Sequence, residues 1–272
     1  MKWQPPRMAR NLDDPITGFQ VLGERSSGTN FVTQLLLRNL DGAARTPVYG
    51  WKHGFVDRRV APTAGLLTVL VYRHPLRWLQ SLHARPLDLS RAMQGLNFSG
   101  FIRHEWQGAF RKDGGEEAST ADMEPKAKVN YANALKLRSA KIGYFEELAG
   151  MPARVAFLRY EDVNRDPKAT LAALAAGFDL RLKPYAPVQT FKGITTSPYV
   201  PKQLPRIDAD DLAFIARELD LEQEARIGYS LEAVPRFDGL PGWDIRSVRS
   251  VARGLRRRIS PRSGGISRPA KG

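Results

Sequence analysis

Residues 66–73, LLTVLVYR, are apolar almost throughout, and this run constrains the fold more than any other segment of the chain. A strand with two apolar faces is typical of the centre of a parallel sheet, where helices cover it on both sides. Pro75 follows in the position that proline favours at the start of a helix, and PLRWLQSLHA continues with a helical pattern. Further apolar runs alternate with helical patterns. The sequence therefore predicts an α/β fold with a mainly parallel sheet flanked by helices.

The same patterns predict the other elements of the chain. Predicted strands cover residues 17–23, 48–54, 66–73 and 153–162, and predicted helices cover 29–40, 75–84, 130–150 and 168–178. A further helix begins at Asp208, which is expected, with Asp210 and Asp211, to cap the helix rather than to bind a metal. Residues 111–125 are predicted to form a solvated loop, and the proline-rich stretch 186–205 an extended loop.

Charge and composition narrow the possible functions. The net charge is +14, but nine of the 42 basic residues and none of the 28 acidic ones follow Asp244, which leaves +5 on residues 1–244. We therefore expect one α/β domain at 1–244 that prefers anionic ligands, and a separate basic tail at 245–272. The absence of cysteine excludes disulfides and thiolate metal sites, and the four histidines lack metal-binding spacing, so no metal is expected. With neither a signal peptide nor a membrane-spanning run of ~20 apolar residues, a cytoplasmic location is expected.

GERSSGTN, residues 23–30, joins the first predicted strand to the first predicted helix. The spacing Gly23-x4-Gly28 is that of a phosphate-binding loop, in which backbone N–H groups and the helix N-terminus point at an anion. Nucleoside triphosphate enzymes place Lys-Ser or Lys-Thr after the second glycine, whereas Thr29 and Asn30 stand there in this chain. The loop therefore predicts binding of a 5′-phosphate without triphosphate chemistry. A turn that only caps its helix is the alternative from this stretch alone.

RHPLRWLQS, residues 73–81, places Arg73 at the end of the central strand and Ser81 eight residues later. Because ligands of parallel α/β sheets bind beyond the carboxyl ends of the strands, Arg73 is expected near the mouth of the loop. Its guanidinium can hold a phosphate with two hydrogen bonds, and the hydroxyl of Ser81 can add another. The alternative is an arginine that satisfies backbone carbonyls and a serine on a solvated helix face.

Together these motifs resemble the sulfotransferases that use 3′-phosphoadenosine 5′-phosphosulfate (PAPS). That family holds the 5′-phosphosulfate in a strand–loop–helix of the type Lys-Ser-Gly-Thr-Thr, and Ser27-Gly28-Thr29 matches its centre. The family holds the 3′-phosphate with a strand-end arginine and a serine eight residues on, which is the spacing of Arg73 and Ser81. RYEDVNRDPKATLAAL at 159–174 is similar to the family's late strand–helix segment.

The resemblance implies a P-loop-like three-layer fold and transfer of a sulfuryl group from PAPS to a hydroxyl or amine acceptor. It also implies that the donor is bound by the loop, the strand end, the helix after it and the late basic loop TFKGITTSPY. The expected donor-binding residues are Arg25, Ser26, Ser27, Gly28, Thr29, Asn30, Arg73, Ser81 and Lys192. The family's loop lysine aligns with Ser26, so its positive charge is missing there. Arg25 or Lys52 can supply that charge, and Lys52 is preferred.

WKHGF, residues 51–55, ends the second predicted strand and supplies the expected catalytic pair. Sulfuryl transfer needs positive charge near the departing phosphate oxygen and a base for the acceptor hydroxyl. Lys52 is expected to provide the charge, and His53, whose ordinary pKa is ~6.5, the base. Neighbouring strand residues point to opposite faces, so both enter the site only if the strand ends here, as Gly54 indicates. Glu24 is a weaker candidate base.

Two other classes of protein stay open at this point. A kinase-like or other nucleotide-binding P-loop protein would fit the glycine spacing, although the missing lysine counts against it. A nucleic-acid-binding protein would use the basic tail, but no aromatic residue is interleaved with the basic residues after Trp243, so no nucleic acid partner is expected.

The first half of the tail, IRSVRSVARGLRRRI at 245–259, has apolar residues at helical spacing and arginines at most other positions. This pattern favours a basic amphipathic helix on an anionic membrane surface, at the inner face of the membrane. An enzyme docked there would suit lipid-linked or envelope glycan acceptors. A solvated basic terminus without a partner is an equal alternative, because the apolar stripe is narrow.

Overall fold

The computed structural model describes residues 3–55, 64–112, 115–151, 153–190 and 206–232. The strands in these ranges are β1 (Arg7–Arg10), β2 (Gly18–Gly23), β3 (Leu40–Asp41), β4 (Ala44–Arg45), β5 (Leu66–Tyr72), β6 (Ala109–Lys112), β7 (Gly115–Ala118), β8 (Arg154–Arg159) and β9 (Arg181–Leu182). The helices are α1 (Thr29–Asn39), α2 (Pro75–Ala84), α3 (Arg91–Gln94), α4 (Phe98–Arg103), α5 (Ala134–Leu148), α6 (Tyr160–Arg165), α7 (Pro167–Phe178), α8 (Ala209–Glu218) and α9 (Leu221–Arg226). Lys192, most of the predicted loop 186–205 and the basic tail lie outside the described residues.

Five of the described strands form the central sheet, in the order β1-β8-β5-β2-β4. β8, β5, β2 and β4 run parallel to one another, whereas β1 pairs antiparallel with β8. Gly18 of β2 lies opposite Leu66 of β5, and Leu67 lies opposite Arg154 of β8. The predicted α/β fold with a mainly parallel sheet is confirmed. The sheet is nevertheless mixed, because β1, whose sequence RMAR contains no apolar run, joins it as an edge strand.

β5 is buried along its whole length because its alternate side chains enter two different cores. Val69 and Val71 belong to an apolar cluster with α1 and α7, whereas Leu70 and Tyr72 belong to a second cluster with α5. Since neighbouring strand residues point to opposite faces, helices flank both faces of the sheet. A third apolar cluster joins α2, α4, the start of α5 and α8.

Most of the predicted elements are confirmed to within a few residues. β2, β5 and β8 correspond to three of the predicted strands, and α1, α2, α5 and α7 to the predicted helices. Asp208 caps α8, because its carboxylate accepts a hydrogen bond from the backbone N–H of Asp211 at 2.8 Å. Asp211 in turn forms an ion pair with Arg103. No helix in the described ranges is both long and apolar enough to cross a membrane.

The prediction of a strand at 48–54 is wrong. The neighbour of β2 is the two-residue strand β4, and 48–54 forms a series of turns. Gln20 of β2 explains the difference: its side chain donates to the carbonyl of Gly50 at 3.0 Å and accepts from the N–H of Tyr49 at 2.7 Å. These contacts occupy backbone groups that a strand would use for its ladder. Gly50 also has φ 70°, which lies outside the strand region.

The prediction of a solvated loop at 111–125 is also wrong. β6 and β7 form a hairpin, and Thr120–Asp122 forms a turn of 3-10 helix. β7 is exposed, as a solvated segment should be, but Asp122 is only 1% exposed. A carboxylate at this depth requires cationic partners, and Arg25 and Lys141 reach it from distant parts of the chain.

Candidate functional site

The loop between β2 and α1 is shaped by two residues with positive φ. Ser26 has φ 62° and Gly28 has φ 101°, and α1 begins immediately after Gly28. Gly28, the residue that precedes the helix, has no side chain to cap it, and the first turn of α1 contains no acidic residue. The N–H groups and the positive end of the helix dipole are therefore directed at the loop without a built-in negative partner.

Gly28 is required at its position by a close approach as well as by its backbone. A Cβ atom at this residue would lie 2.2 Å from a ring carbon of Tyr160, the first residue of α6. The guanidinium carbon of Arg73 lies 4.9 Å from the centroid of the same ring. Tyr160 therefore contacts both the loop and the strand-end arginine, and it holds them on one side of the sheet edge.

Arg73 lies against the loop, because β5 and β2 are neighbouring parallel strands. Its Nη1 donates to the carbonyl oxygen of Ser26 at 2.9 Å, whereas its buried Nε has no hydrogen-bond partner. Ser81 is half-buried in α2, and no hydrogen bond among the described residues joins it to Arg73. The structure thus brings Arg73 into direct contact with the loop.

Arg77, in the first turn of α2, adds a second positive charge that the sequence analysis did not identify. Its side chain is buried. Burial, together with the charge of Arg73, lowers the pKa of Arg77 to about 10. Glu161 acts in the opposite direction on the pKa of Arg77, and the two neighbouring guanidinium groups together favour an anion near the end of β5. The four-residue spacing of the arginines in RHPLR was the available signal, since Pro75 starts a helix between them.

Lys52 reaches the loop even though its segment is not a strand. The N–H of Gly23, the last residue of β2, donates to the carbonyl of Lys52 at 3.0 Å and fixes the backbone there. The Lys52 ammonium then donates to the Oδ1 atom of Asn30 in the first turn of α1. The preferred candidate for the missing loop charge is therefore in contact with the start of α1.

His53 lies beside Lys52, with its ring held on the end of β2. Its Nδ1 lies 2.7 Å from the carbonyl oxygen of Gly23. A carbonyl can only accept, so Nδ1 carries the proton and Nε2 carries the lone pair. Because 48–54 forms turns, the alternation of a regular strand does not apply, and both Lys52 and His53 reach the same loop.

The electrostatic environment of His53 differs from the ordinary one assumed for it from the sequence. Burial, together with the nearby charges of Lys52, Arg25 and Lys141, lowers the pKa of His53 to about 3, although the hydrogen bond to the Gly23 carbonyl acts in the opposite direction. The ring is therefore neutral at pH 7 and able to accept a proton, but it is a weak base in the absence of a negative charge. An anion bound in the loop would offset those cations and raise the pKa.

Arg25 and Glu24 are both buried, and each is paired with a side chain of opposite charge. Arg25 is 6% exposed and forms an ion pair with Asp122. Glu24 is buried and accepts a hydrogen bond from Nη1 of Arg138 at 2.6 Å. Burial raises the pKa of Glu24 to about 7, despite the opposing charge of Arg138. The guanidinium of Arg25 is thus already paired with a buried carboxylate, and Glu24 is paired with a buried arginine.

The remaining loop residues lie mostly inside the protein. Ser27 and Thr29 are buried, and the hydroxyl of Ser27 has no hydrogen-bond partner. Across the described residues, no group of three or more histidine, cysteine, aspartate and glutamate side chains is placed to hold a metal ion.

No family model, curated protein or solved structure matches the chain. The chemistry that the site can support therefore follows from its own residues. The first turn of α1, the strand-end guanidinium and the Lys52 ammonium provide donors for an anion, and the neutral ring of His53 provides a proton acceptor beside them. This combination suits a phosphate- or sulfate-bearing ligand next to a group that loses a proton.

Proposed function

We propose that the chain is a PAPS-dependent sulfotransferase with the P-loop-like fold of that class, which transfers a sulfuryl group to a hydroxyl or amine acceptor. One observation carries the proposal: Arg73, Lys52 and His53, from two segments distant from the loop, all form hydrogen bonds with residues 23–30. Sulfuryl transfer requires a phosphate anchor, a positive charge and a base at one place, and these three side chains supply them.

The residues around the loop fit the donor. The hydroxyl of Ser27 and the Nε of Arg73 are buried without partners, so both can bond to a ligand without losing an existing contact. The loop and the start of α1 would hold the 5′-phosphosulfate, and Arg73 with Ser81 would hold the 3′-phosphate. When bound, PAPS supplies the sulfuryl group and a 5′-phosphate leaving group.

Lys52 and His53 would act on opposite ends of the transfer. The Lys52 ammonium lies at the first turn of α1, where it can stabilise negative charge that develops on a phosphate oxygen. The Nε2 lone pair of His53 can take the proton of the acceptor hydroxyl. A bound anion raises the pKa of this ring from its low value, so the base becomes stronger when the donor is present.

Titration with adenosine 3′,5′-bisphosphate, compared with ATP and magnesium, tests the proposal. We expect the bisphosphate to raise the Tm increasingly as its concentration exceeds its Kd, and ATP with magnesium to have a smaller effect at the same concentration. Tighter binding of ATP with magnesium-dependent turnover would instead establish the kinase-like alternative. A protein that responds to neither nucleotide would overturn both.

For the location of the enzyme, we propose a cytoplasmic protein that attaches reversibly to the inner face of an anionic membrane through residues 245–259. The support is the sequence pattern of this segment, apolar at helical spacing and otherwise rich in arginine. Each arginine near an anionic bilayer contributes about 1 kcal/mol, so several together suffice for reversible attachment.

A further inference from the structure

Beneath the loop lies a buried ionic triad of Arg25, Asp122 and Lys141, which are 6%, 1% and 1% exposed. The two carboxylate oxygens of Asp122 accept separately, one from Arg25 and the other from Lys141. The indole Nε1 of Trp106 also donates to Asp122 at 3.2 Å. The three members come from the loop, the turn after β7 and α5, so that Asp122 joins three separate parts of the fold.

The triad places a single carboxylate between two basic side chains inside the protein. Burial opposes the ionisation of Asp122, but the charges of Lys141 and Arg25 outweigh it and lower the pKa of Asp122 to about 2. One carboxylate thus faces two cations. Removing one partner from a buried ionic group leaves charge uncompensated, which is far more costly than at the surface. Asp122 is therefore the residue on which the positions of both cations depend.

Lys141 connects the triad to His53. Besides its bond to Asp122, its ammonium donates to the backbone carbonyl of His53 at 2.6 Å. His53 is thus held at two points: its ring donates to the carbonyl of Gly23, and its backbone carbonyl accepts from Lys141. The Trp51 ring packs against the His53 ring at nearly a right angle, with centroids 5.3 Å apart, and the guanidinium of Arg25 lies 4.6 Å from the centroid of Trp51.

We propose that Asp122 is a positioning residue that sets the orientation of His53, by holding Lys141 under the His53 carbonyl and Arg25 under Trp51. The consequence for catalysis rests on the proposed function, in which His53 is the base. The structural coupling of Asp122 to the His53 ring does not depend on that function. Without the carboxylate, two like charges repel each other in the interior and Lys141 leaves the carbonyl. The ring of His53 then no longer holds Nδ1–H on Gly23.

The test is the tautomer of His53 in the unliganded protein at pH 7, read from long-range ¹H–¹⁵N correlations of the four imidazole rings. His53→Gln assigns the signal. In the parent protein we expect a single Nδ1–H tautomer, because the bond to a carbonyl fixes which nitrogen is protonated. In Asp122→Asn we expect a mixture of the two tautomers. An unchanged single tautomer in a folded Asp122→Asn protein would overturn the proposal.

Asp211→Asn is the matched control. Asp211 is 3% exposed and pairs with Arg103, whose side chain is 35% exposed, so the change removes the same charge from a buried carboxylate that forms no hydrogen bond or ion pair with His53 among the described residues. We expect this variant, like Asp122→Asn, to have a lower free energy of unfolding, and we expect no change in its His53 signals. A change of tautomer in this variant as well would show that any buried charge loss has the same effect, and would also overturn the proposal.

Lys141 provides a second pair of variants if Asp122→Asn does not fold. Lys141→Gln keeps a donor that can reach the His53 carbonyl, whereas Lys141→Met does not, and both leave Arg25 and Asp122 as a neutral pair. We expect the mixed tautomer only in Lys141→Met. The same single tautomer in both would contradict the positioning role.

Enzymatic readouts separate this proposal from the proposed function. With an acceptor in hand, Asp122→Asn should lower kcat by up to about 10²-fold, the cost of a small misplacement of a catalytic group. Its affinity for adenosine 3′,5′-bisphosphate should stay near the parental value. If the parent binds no nucleotide while the tautomer still changes, the proposed function fails and the coupling of Asp122 to His53 stands.

Discussion

The Nδ1 atom of His53 lies 2.7 Å from the carbonyl oxygen of Gly23, the residue at which β2 ends. This contact joins the imidazole to the beginning of the loop and sets its tautomer, with the proton on Nδ1 and the lone pair on Nε2. It therefore defines which atom of the site can receive a proton, and the first prediction follows from it.

Replacing His53 with alanine should lower kcat by ~10²–10⁴-fold, because the proton acceptor is lost while the anion donors remain. The affinity for adenosine 3′,5′-bisphosphate should change little. His83→Ala is the control, since that histidine lies in α2 and its Nε2 contacts the carbonyl of Leu96 at 3.0 Å, away from the loop. Steady-state rates with an identified acceptor provide the measurement. A His53→Ala enzyme with near-parental turnover would assign the base elsewhere.

Arg73 should distinguish adenosine 3′,5′-bisphosphate from 5′-AMP. One charge-assisted phosphate contact contributes ~1.5–3 kcal/mol, so the bisphosphate should bind roughly tenfold to hundredfold more tightly. Arg73→Ala should erase most of this difference and leave 5′-AMP binding nearly unchanged, as calorimetric titration can show. Arg181→Ala, at a side chain that is 79% exposed, should retain it. Equal affinity of the parent for the two nucleotides would exclude the assigned role.

Gly28→Ala should destabilise the protein more than Gly50→Ala. Both glycines have positive φ, of 101° and 70°, so both changes cost backbone strain of ~1–3 kcal/mol. A Cβ at Gly50 meets nothing within 4 Å, whereas one at Gly28 collides with Tyr160. Overpacking of this kind adds ~1–3 kcal/mol, which urea unfolding would detect as a lower midpoint. Equal losses for the two variants would mean that Tyr160 moves aside without cost.

His74 should make stability fall as the pH is lowered. It is fully buried, and burial lowers its pKa to about 3. Between pH ~6.5 and pH ~3 the imidazole of His74 binds a proton in the unfolded chain but not in the folded chain. Its contribution to the free energy of unfolding is therefore complete above pH ~6.5 and is lost as the pH falls toward ~3. His74→Gln, which keeps a donor for the carbonyl of Ser230, should flatten the pH dependence by up to ~1.4 kcal/mol per pH unit. Urea unfolding at pH 5 and pH 7 measures the slope, and an unchanged slope would contradict the assignment.

Glu24 should have the opposite effect on the pH dependence of stability, so it provides a control for the result with His74. Its folded-state pKa of about 7 lies above its ordinary value of 4.5. Its contribution to the free energy of unfolding is therefore present below pH ~4.5 and is lost as the pH rises through ~7. Glu24→Gln should steepen the fall in stability on acidification in the same experiment. An unchanged or flatter profile in this variant would show that the pKa of Glu24 is not raised in the folded protein.

Deleting residues 245–272 should abolish binding to anionic membranes and leave nucleotide binding unchanged. The full-length protein is expected to sediment with phosphatidylglycerol vesicles at low salt, because polybasic segments are attracted to anionic lipid and released by salt. Vesicles of phosphatidylcholine alone are the control and should not bind. If the full-length protein stays in the supernatant with phosphatidylglycerol, the membrane proposal is wrong.

The sequence alone was sufficient wherever short-range signals decide the structure. β5 could be predicted because every one of its side chains is buried. An apolar run of strand length is typical of a central strand covered on both faces. α2 could be predicted because Pro75 starts it, and the turn into α1 because Gly28 precedes Thr29. The position of Arg73 at the loop followed from the rule that parallel strands end at one edge.

Only the tertiary structure decided the features that depend on partners distant in the chain. Gln20 converts 48–54 into turns by taking backbone groups of a segment about thirty residues away, which no local period of 48–54 reveals. Asp122 lies in an acidic, glycine-containing stretch that looks solvated, and its burial depends on Arg25 and Lys141 arriving from elsewhere. The pKa of His53 is likewise set by burial and by cations from three segments. Electrostatic energies in a protein depend on distances in space and on depth, and a sequence pattern records neither.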